Sequence, residues 1–377
     1  MSSTPKKFAI VLGTRPEAIK LIPVYLELKK RGSTVDLVST GQHRSMLDQI
    51  FQFFGITPDV SLEVMVHDQT LSGLTARLTN SLQECFEAGK YDVVIVQGDT
   101  TTAMVASLVA YYNHLVVAHV EAGLRTYNKY SPFPEEINRQ VISRIADRHF
   151  APTKFAGEIL NKEQTKGVHV VGNTVIDSLL FCLDKVTEQE NCYKEKFPLL
   201  AKYEKLVLIT GHRRESFGKG FDEICRAIKV LSQQYPRILF YYPVHLNPNV
   251  KNKVHNILAN IPNVYLGEPL PYDELVYLMS RSFIILTDSG GIQEEAPSLN
   301  VPVLVMRETT ERPEGVEAGC SKLVGTNMQK IVESFEELMN VPQKYQQMAR
   351  AMNPYGDGRS AQRITDILLS NSITIAG

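Results

Sequence analysis

The chain's 377 residues are 44% hydrophobic and 21% charged, ordinary values for a soluble protein with enough chain for two domains. The 40 basic residues nearly cancel the 41 acidic ones, so net charge gives no basis for a nucleic-acid or anionic-membrane partner, and any phosphate site must be built locally. Cys85, Cys182, Cys192, Cys225 and Cys320 are scattered without metal-binding spacing. They read as free thiols in a reducing compartment. With a polar start and no apolar run approaching a membrane span, a cytoplasmic protein is expected.

Short apolar runs alternate with helical patterns almost throughout. Strand candidates fall at 8–12, 35–39, 92–97, 115–120, 149–151 and 169–171. A second series follows at 206–210, 238–242, 264–266, 283–287, 303–306 and 322–324. Helical patterns between them, such as 17–30, 101–112, 136–147, 221–234, 273–281 and 331–338, predict parallel sheets covered by helices on both faces. The fold class is therefore α/β, with two Rossmann-like doubly wound domains. The charged, strandless stretch 183–205 reads as the linker. The first domain is expected at 1–182, completed by a C-terminal helix at 358–377, and the linker with the second domain at 183–357.

Ligands of such sheets lie beyond the carboxyl ends of the strands. The first strand runs into Gly13-Thr14-Arg15-Pro16-Glu17. Only one glycine of a dinucleotide fingerprint is present, so a classical NAD site at this turn is not expected. Pro16 suits a first helical turn. Arg15 and Lys20 are either ordinary surface cations or groups facing an anion at that helix start. After the third strand, Asp99 is either a helix N-cap or, if Thr100 caps instead, a free carboxylate. Glu121 ends the fourth strand, where it either pairs with Arg125 or serves as a functional carboxylate. Glu135 and Glu136 open the next helix, complementing its dipole or joining acid–base work.

In the second half, a strand runs into Gly211-His212-Arg213-Arg214, a plausible polyanion clamp. Thr287-Asp288-Ser289-Gly290-Gly291-Ile292-Gln293-Glu294-Glu295 is the sharpest signal. Ser289 can cap the helix, and the two glycines let backbone N–H groups approach a phosphate. Glu295 lies where it could take two ribose hydroxyls. Arg312 is a further loop arginine.

Together these segments resemble the bacterial non-hydrolysing UDP-N-acetylglucosamine 2-epimerases, of the glycosyltransferase-B fold. The matching pieces, 13–20, 40–47, 98–102, 119–126, 131–139, 172–177, 211–218, 242–250, 287–297, 307–313 and 353–358, run in order along almost the whole chain. The resemblance implies two domains facing across a cleft, with UDP held chiefly by the second and the sugar turned to the first. It implies catalytic roles for Asp99, Glu121, Glu135 and His212. Nucleotide and substrate contacts carry over to Arg15, Lys20, Arg213, Ser289, Gly290, Gly291, Glu295 and Arg312. Some members bind a second, regulatory UDP-N-acetylglucosamine, and Gln42, Glu136, Arg213 and His245 match that site. Asp68 stands just before Gln69, where some of those members carry a basic residue. A homodimer and a place in surface-polysaccharide synthesis are further family expectations.

The implied reaction converts UDP-N-acetylglucosamine to UDP-N-acetylmannosamine. The C2 hydrogen has no adjacent carbonyl to make it acidic. Elimination of UDP to 2-acetamidoglucal, followed by re-addition, suits the carboxylates and the polyanion provisions, and needs neither NAD nor metal. Two alternatives stay open: a hydrolysing epimerase that releases N-acetylmannosamine, and a glycosyltransferase of the same fold.

Overall fold

The computed structural model describes residues 6–41, 44–66, 69–211, 219–245 and 247–370. Its contacts divide the chain into two compact units. One runs to Ser178 and resumes at Tyr355, and the other is Leu179–Pro354.

The first unit is a seven-stranded sheet in the order β3-β2-β1-β4-β5-β6-β7. Its strands are β1 (Lys7–Leu12), β2 (Thr34–Ser39), β3 (Val60–Ser61), β4 (Val93–Gln97), β5 (Val116–Val120), β6 (Arg148–Ala151) and β7 (Val168–Val170). Every pairing is parallel. Helices cover both faces, which explains why β4 and β5 are buried at every position and read as unbroken apolar runs. One core cluster gathers Val11, Val94, Val96 and Val117 under α3 (Leu71–Gly89) and α4 (Thr101–Tyr112).

The second unit repeats the plan with six parallel strands in the order β10-β9-β8-β11-β12-β13. These are β8 (Lys205–Thr210), β9 (Ile238–Pro243), β10 (Val264–Gly267), β11 (Ser282–Thr287), β12 (Val303–Val305) and β13 (Ser321–Leu323). Its core joins Val207, Phe240, Leu286 and Leu304 to Ile228 and Phe335 on the flanking helices. In each sheet the chain winds outward in both directions from a central pair, β1/β4 and β8/β11. The loops leaving those pairs are therefore the natural ligand positions.

The charged stretch expected as a linker is itself folded. The boundary between the units falls inside α7 (Thr174–Glu188), and α8 (Glu190–Lys196) with a 3₁₀ turn (Pro198–Lys202) then leads into β8. Tyr193 of α8 stacks on Tyr277 and donates to Asp273 at 2.7 Å, so the stretch packs on the second unit. The last helix, α16 (Ser360–Leu369), belongs to the first unit. Asp177 accepts from the Ser360 and Ala361 amides at its start, and Arg31 of α1 (Arg15–Lys30) pairs with Asp366. Among the described residues no helix is long and apolar enough to cross a membrane.

Candidate active site

In the first unit the loops after β1 and β4 are tied together by one buried side chain. Glu17 accepts from the Gly13 amide at 3.0 Å, the Thr14 amide at 2.7 Å and the Thr100 hydroxyl at 2.6 Å. It is fully buried, and burial pushes its carboxyl up despite those donors. Thr100 accepts from the Ala103 amide and so caps α4. The cap is therefore threonine, and the Asp99 carboxylate is left for other partners. Arg139 reaches it at 2.5 Å, and Asn138 holds the Asp99 carbonyl at 2.9 Å.

Glu121 sits at the end of β5 with φ 62°, a left-handed backbone that is unusual for a side chain of its size. It is 8% exposed. Its partner is not Arg125, which instead forks onto Glu163 at 3.0 and 2.8 Å. Lys20 meets Glu121 Oε1 at 2.5 Å, Asn173 reaches the same oxygen at 3.3 Å, and Gln97 donates to Oε2. Lys20, expected beside an anion at the helix start, is thus a carboxylate partner here. Arg15 is the first residue of α1.

Glu135 is the first residue of α5 (Glu135–Ile145), and its charge is felt at Asp99. Burial raises the Asp99 pKa, Arg139 opposes the rise, and Glu121 and Glu135 add to it. Asp99, Glu121 and Glu135 therefore form one electrostatic cluster. Glu136 does not join it. Its side chain is 0% exposed and accepts from the Thr126 and Tyr127 amides and from Gln140. Burial works to raise this group, but those bonds and Arg139 outweigh it and hold it below its ordinary value. Glu136 thus braces the loop that carries Glu135.

In the second unit, β11 leads through Asp288 into α12 (Gly290–Glu295). Ser289 takes the N-cap position, but its side chain makes no cap bond; its amide donates to Thr287 Oγ1 at 3.0 Å. Gly290 is buried in the same turn. Gly291 does not have a positive φ, and a Cβ placed there would stand 3.6 Å from Glu295 Oε1, ordinary contact. Neither backbone conformation nor internal packing requires that glycine, whereas close approach of a ligand to the backbone would. Glu295 is buried and accepts from the Tyr272 hydroxyl at 3.0 Å. Arg312 is ion-paired with Glu294, and its amide donates to Thr310. His245 is exposed, with Nδ1 accepting from the Asn247 amide at 3.1 Å. His212, Arg213 and Gln42 lie outside the described residues.

Comparison with known proteins gives this arrangement a family. The family model described as UDP-N-acetylglucosamine 2-epimerase matches residues 26–369.

The chain belongs to that family.

Curated UDP-N-acetylglucosamine 2-epimerases from Campylobacter jejuni and Escherichia coli K12 are 48% and 47% identical. The first alignment covers 97% of this chain and 97% of the relative, the second 98% and 100%. A solved UDP-GlcNAc 2-epimerase from Neisseria meningitidis, bound to UDP-GlcNAc, superposes with a TM-score of 0.90 at 48% identity, covering 97% of this chain and 100% of that one. A Methanocaldococcus jannaschii UDP-GlcNAc 2-epimerase in complex with UDP-GlcNAc and UDP gives 0.80 at 34% identity, covering 96% and 99%.

Against that family background, sequence reading passed over the supporting groups Gln97, Asn173, Arg139 and Glu17. A buried-polar signal was present in the sequence for some of them: Gln97 closes an apolar strand and Glu17 follows a glycine turn. Arg139 and Asn173 carried no such mark, because their partners are 40 and 52 positions away.

Proposed function

We propose that this epimerase interconverts UDP-N-acetylglucosamine and UDP-N-acetylmannosamine without hydrolysis, by eliminating and re-adding UDP. The observation that carries the proposal is the pairing of Lys20 with Glu121 just after β5, beside an Asp99 carboxyl that the charges of Glu121 and Glu135 help to raise, in a chain of this family. A carboxylate removes the C2 proton. The C–H electron pair becomes the C1–C2 double bond of 2-acetamidoglucal as the C1–O bond breaks and its pair leaves with UDP. In return, a β-phosphate oxygen attacks C1 and a proton is delivered to C2 from the other face.

The groups suit these tasks. Three donors converge on Glu121, which fits a carboxylate held in one orientation to take the C2 proton. Asp99, pushed up by burial and by Glu121 and Glu135, fits a group that holds one. The Ser289, Gly290 and Gly291 turn, with Arg15, His212, Arg213 and Arg312, takes the diphosphate, and Glu295 takes the ribose. Neither NAD nor a metal ion enters the scheme. The turn after β1 has one glycine, Gly13, rather than a dinucleotide fingerprint. We further infer a homodimer serving polysaccharide synthesis. A second, regulatory UDP-N-acetylglucosamine on Gln42, Glu136, Arg213 and His245 remains part of the proposal.

The test is positional isotope exchange. With an 18-oxygen label in the glycosidic bridge of UDP-N-acetylglucosamine, the label should scramble into non-bridging β-phosphate positions as epimerisation proceeds, and deuterium should enter C2 in D2O. Epimerisation over many turnovers without scrambling, or quantitative release of free N-acetylmannosamine, refutes the scheme.

A further inference from the structure

We propose that Glu17 is a positioning residue for the reaction: through the Thr100 hydroxyl it fixes the turn that carries Asp99. This deepens the reading of Asp99 given above and rests on it. Glu17 stands at the third position of α1, where a glutamate ordinarily does no more than bond the amide of the residue that starts the helix. Here it does more. Oε2 accepts from the Gly13 amide at 3.0 Å and from the amide and hydroxyl of Thr14 at 2.7 and 2.8 Å. Oε1 takes the hydroxyl of Thr100, 83 positions along the chain, at 2.6 Å. Glu17 is also fully buried. A carboxyl is costly to bury, and capping α1 does not require it, since the first amides of a helix can be satisfied by water.

Asp99 directly precedes Thr100, so its turn is held at both ends. α5 supplies Asn138 to the Asp99 carbonyl at 2.9 Å and Arg139 to its carboxylate at 2.5 Å. Glu17 holds the other end of the turn through Thr100, whose oxygen also accepts the Ala103 amide at 3.0 Å. One hydroxyl therefore joins the start of α4 to the turn after β1. Burial pushes the Glu17 carboxyl up. Once protonated, it donates to Thr100 instead of accepting, and the threonine oxygen has a second lone pair to receive it. The link holds in either state, which suits a group that must keep an acid–base residue in place.

The experiment measures turnover and UDP affinity on the full chain. Thr100→Val, isosteric but without the hydroxyl, should lower kcat at least about tenfold while UDP affinity by calorimetry changes less than about threefold, because a displaced acid–base group is missed in the transition state. Thr100→Ser, which restores the hydroxyl, should bring kcat back to within about threefold of wild type. Glu17→Ala should lose kcat as Thr100→Val does, and Glu17→Gln, whose amide reproduces the protonated carboxyl, should recover it. In an Asp99→Asn background, Thr100→Val and Glu17→Ala should each lower kcat by less than about twofold further, since both act through Asp99. Undiminished losses in that background, or UDP affinity falling as far as kcat in Thr100→Val, overturn the positioning role. The Asp99→Asn background and the two rescues keep the result from hanging on one variant's folding. If Asp99→Asn itself turns over at near the wild-type rate, the reading of Asp99 fails and this inference falls with it. If Asp99→Asn is impaired while Thr100→Val and Glu17→Ala are not, only the part of Glu17 is refuted.

Discussion

His119 and His149 make the most quantitative prediction the structure allows. Both are buried in the first unit, with ring centroids 6.4 Å apart. His119 Nε2 meets the Gly98 carbonyl at 2.7 Å, and His149 Nε2 meets that of Ala146 at 2.9 Å. Burial, with the neighbouring His149 adding to it, pushes His119 down to about 3. Burial likewise brings His149 down to about 4 against the opposing Ala146 bond. Both folded values lie below the unfolded value of about 6.5. The unfolded chain therefore binds more protons, and the stability these groups contribute is present above about pH 6.5 and lost as pH falls toward their folded values. Each proton is worth about 1.4 kcal/mol per pH unit, so the pair should remove about 2.5 kcal/mol between pH 6 and 5. His119→Phe should halve that slope while costing about 1–3 kcal/mol at neutral pH, because the Gly98 carbonyl loses its donor. The assay is urea unfolding at pH 7, 6 and 5. The difference between wild type and variant cancels most of the titrating background, including Glu17 and Asp99. Those two are raised by burial, and the stability they contribute runs the opposite way, lost as pH rises through their folded values. A variant whose stability runs parallel to wild type from pH 7 to 5 refutes the reasoning.

The remaining predictions concern the site. Glu121→Gln and Glu135→Gln should each keep UDP affinity but lose turnover at least about a hundredfold; a near wild-type NMR time course for either would return that residue to a structural role. Gly291→Val should abolish UDP binding in calorimetry with little change in melting temperature, because the protein itself leaves room for the Cβ; undiminished affinity removes the phosphate from this turn. Arg139→Gln removes the main group that lowers Asp99, so the limb of the kcat/KM profile governed by Asp99 should move to higher pH, with Arg139→Lys restoring it. An unmoved profile would mean that Asp99 does not titrate in the cycle.

The sequence by itself determined the architecture, because each strand of a covered parallel sheet must be apolar on both faces. Runs such as Val93-Val94-Ile95-Val96 therefore announce themselves. It also marked the turns after the strands, where ligands of doubly wound sheets lie. It did not determine which charges meet. Glu121 takes Lys20 from 101 positions away and leaves Arg125 to Glu163, because β4 lies between β1 and β5 and brings the loops that follow them together. Thr100 rather than Asp99 caps α4, a choice between adjacent polar residues that backbone geometry makes. Ser289, the expected cap, forms no cap bond, and Tyr272 reaches Glu295 from another helix. Local patterning fixes elements, since it acts over a few residues. Pairing within the site belongs to the tertiary structure, since strand order alone decides which loop ends become neighbours.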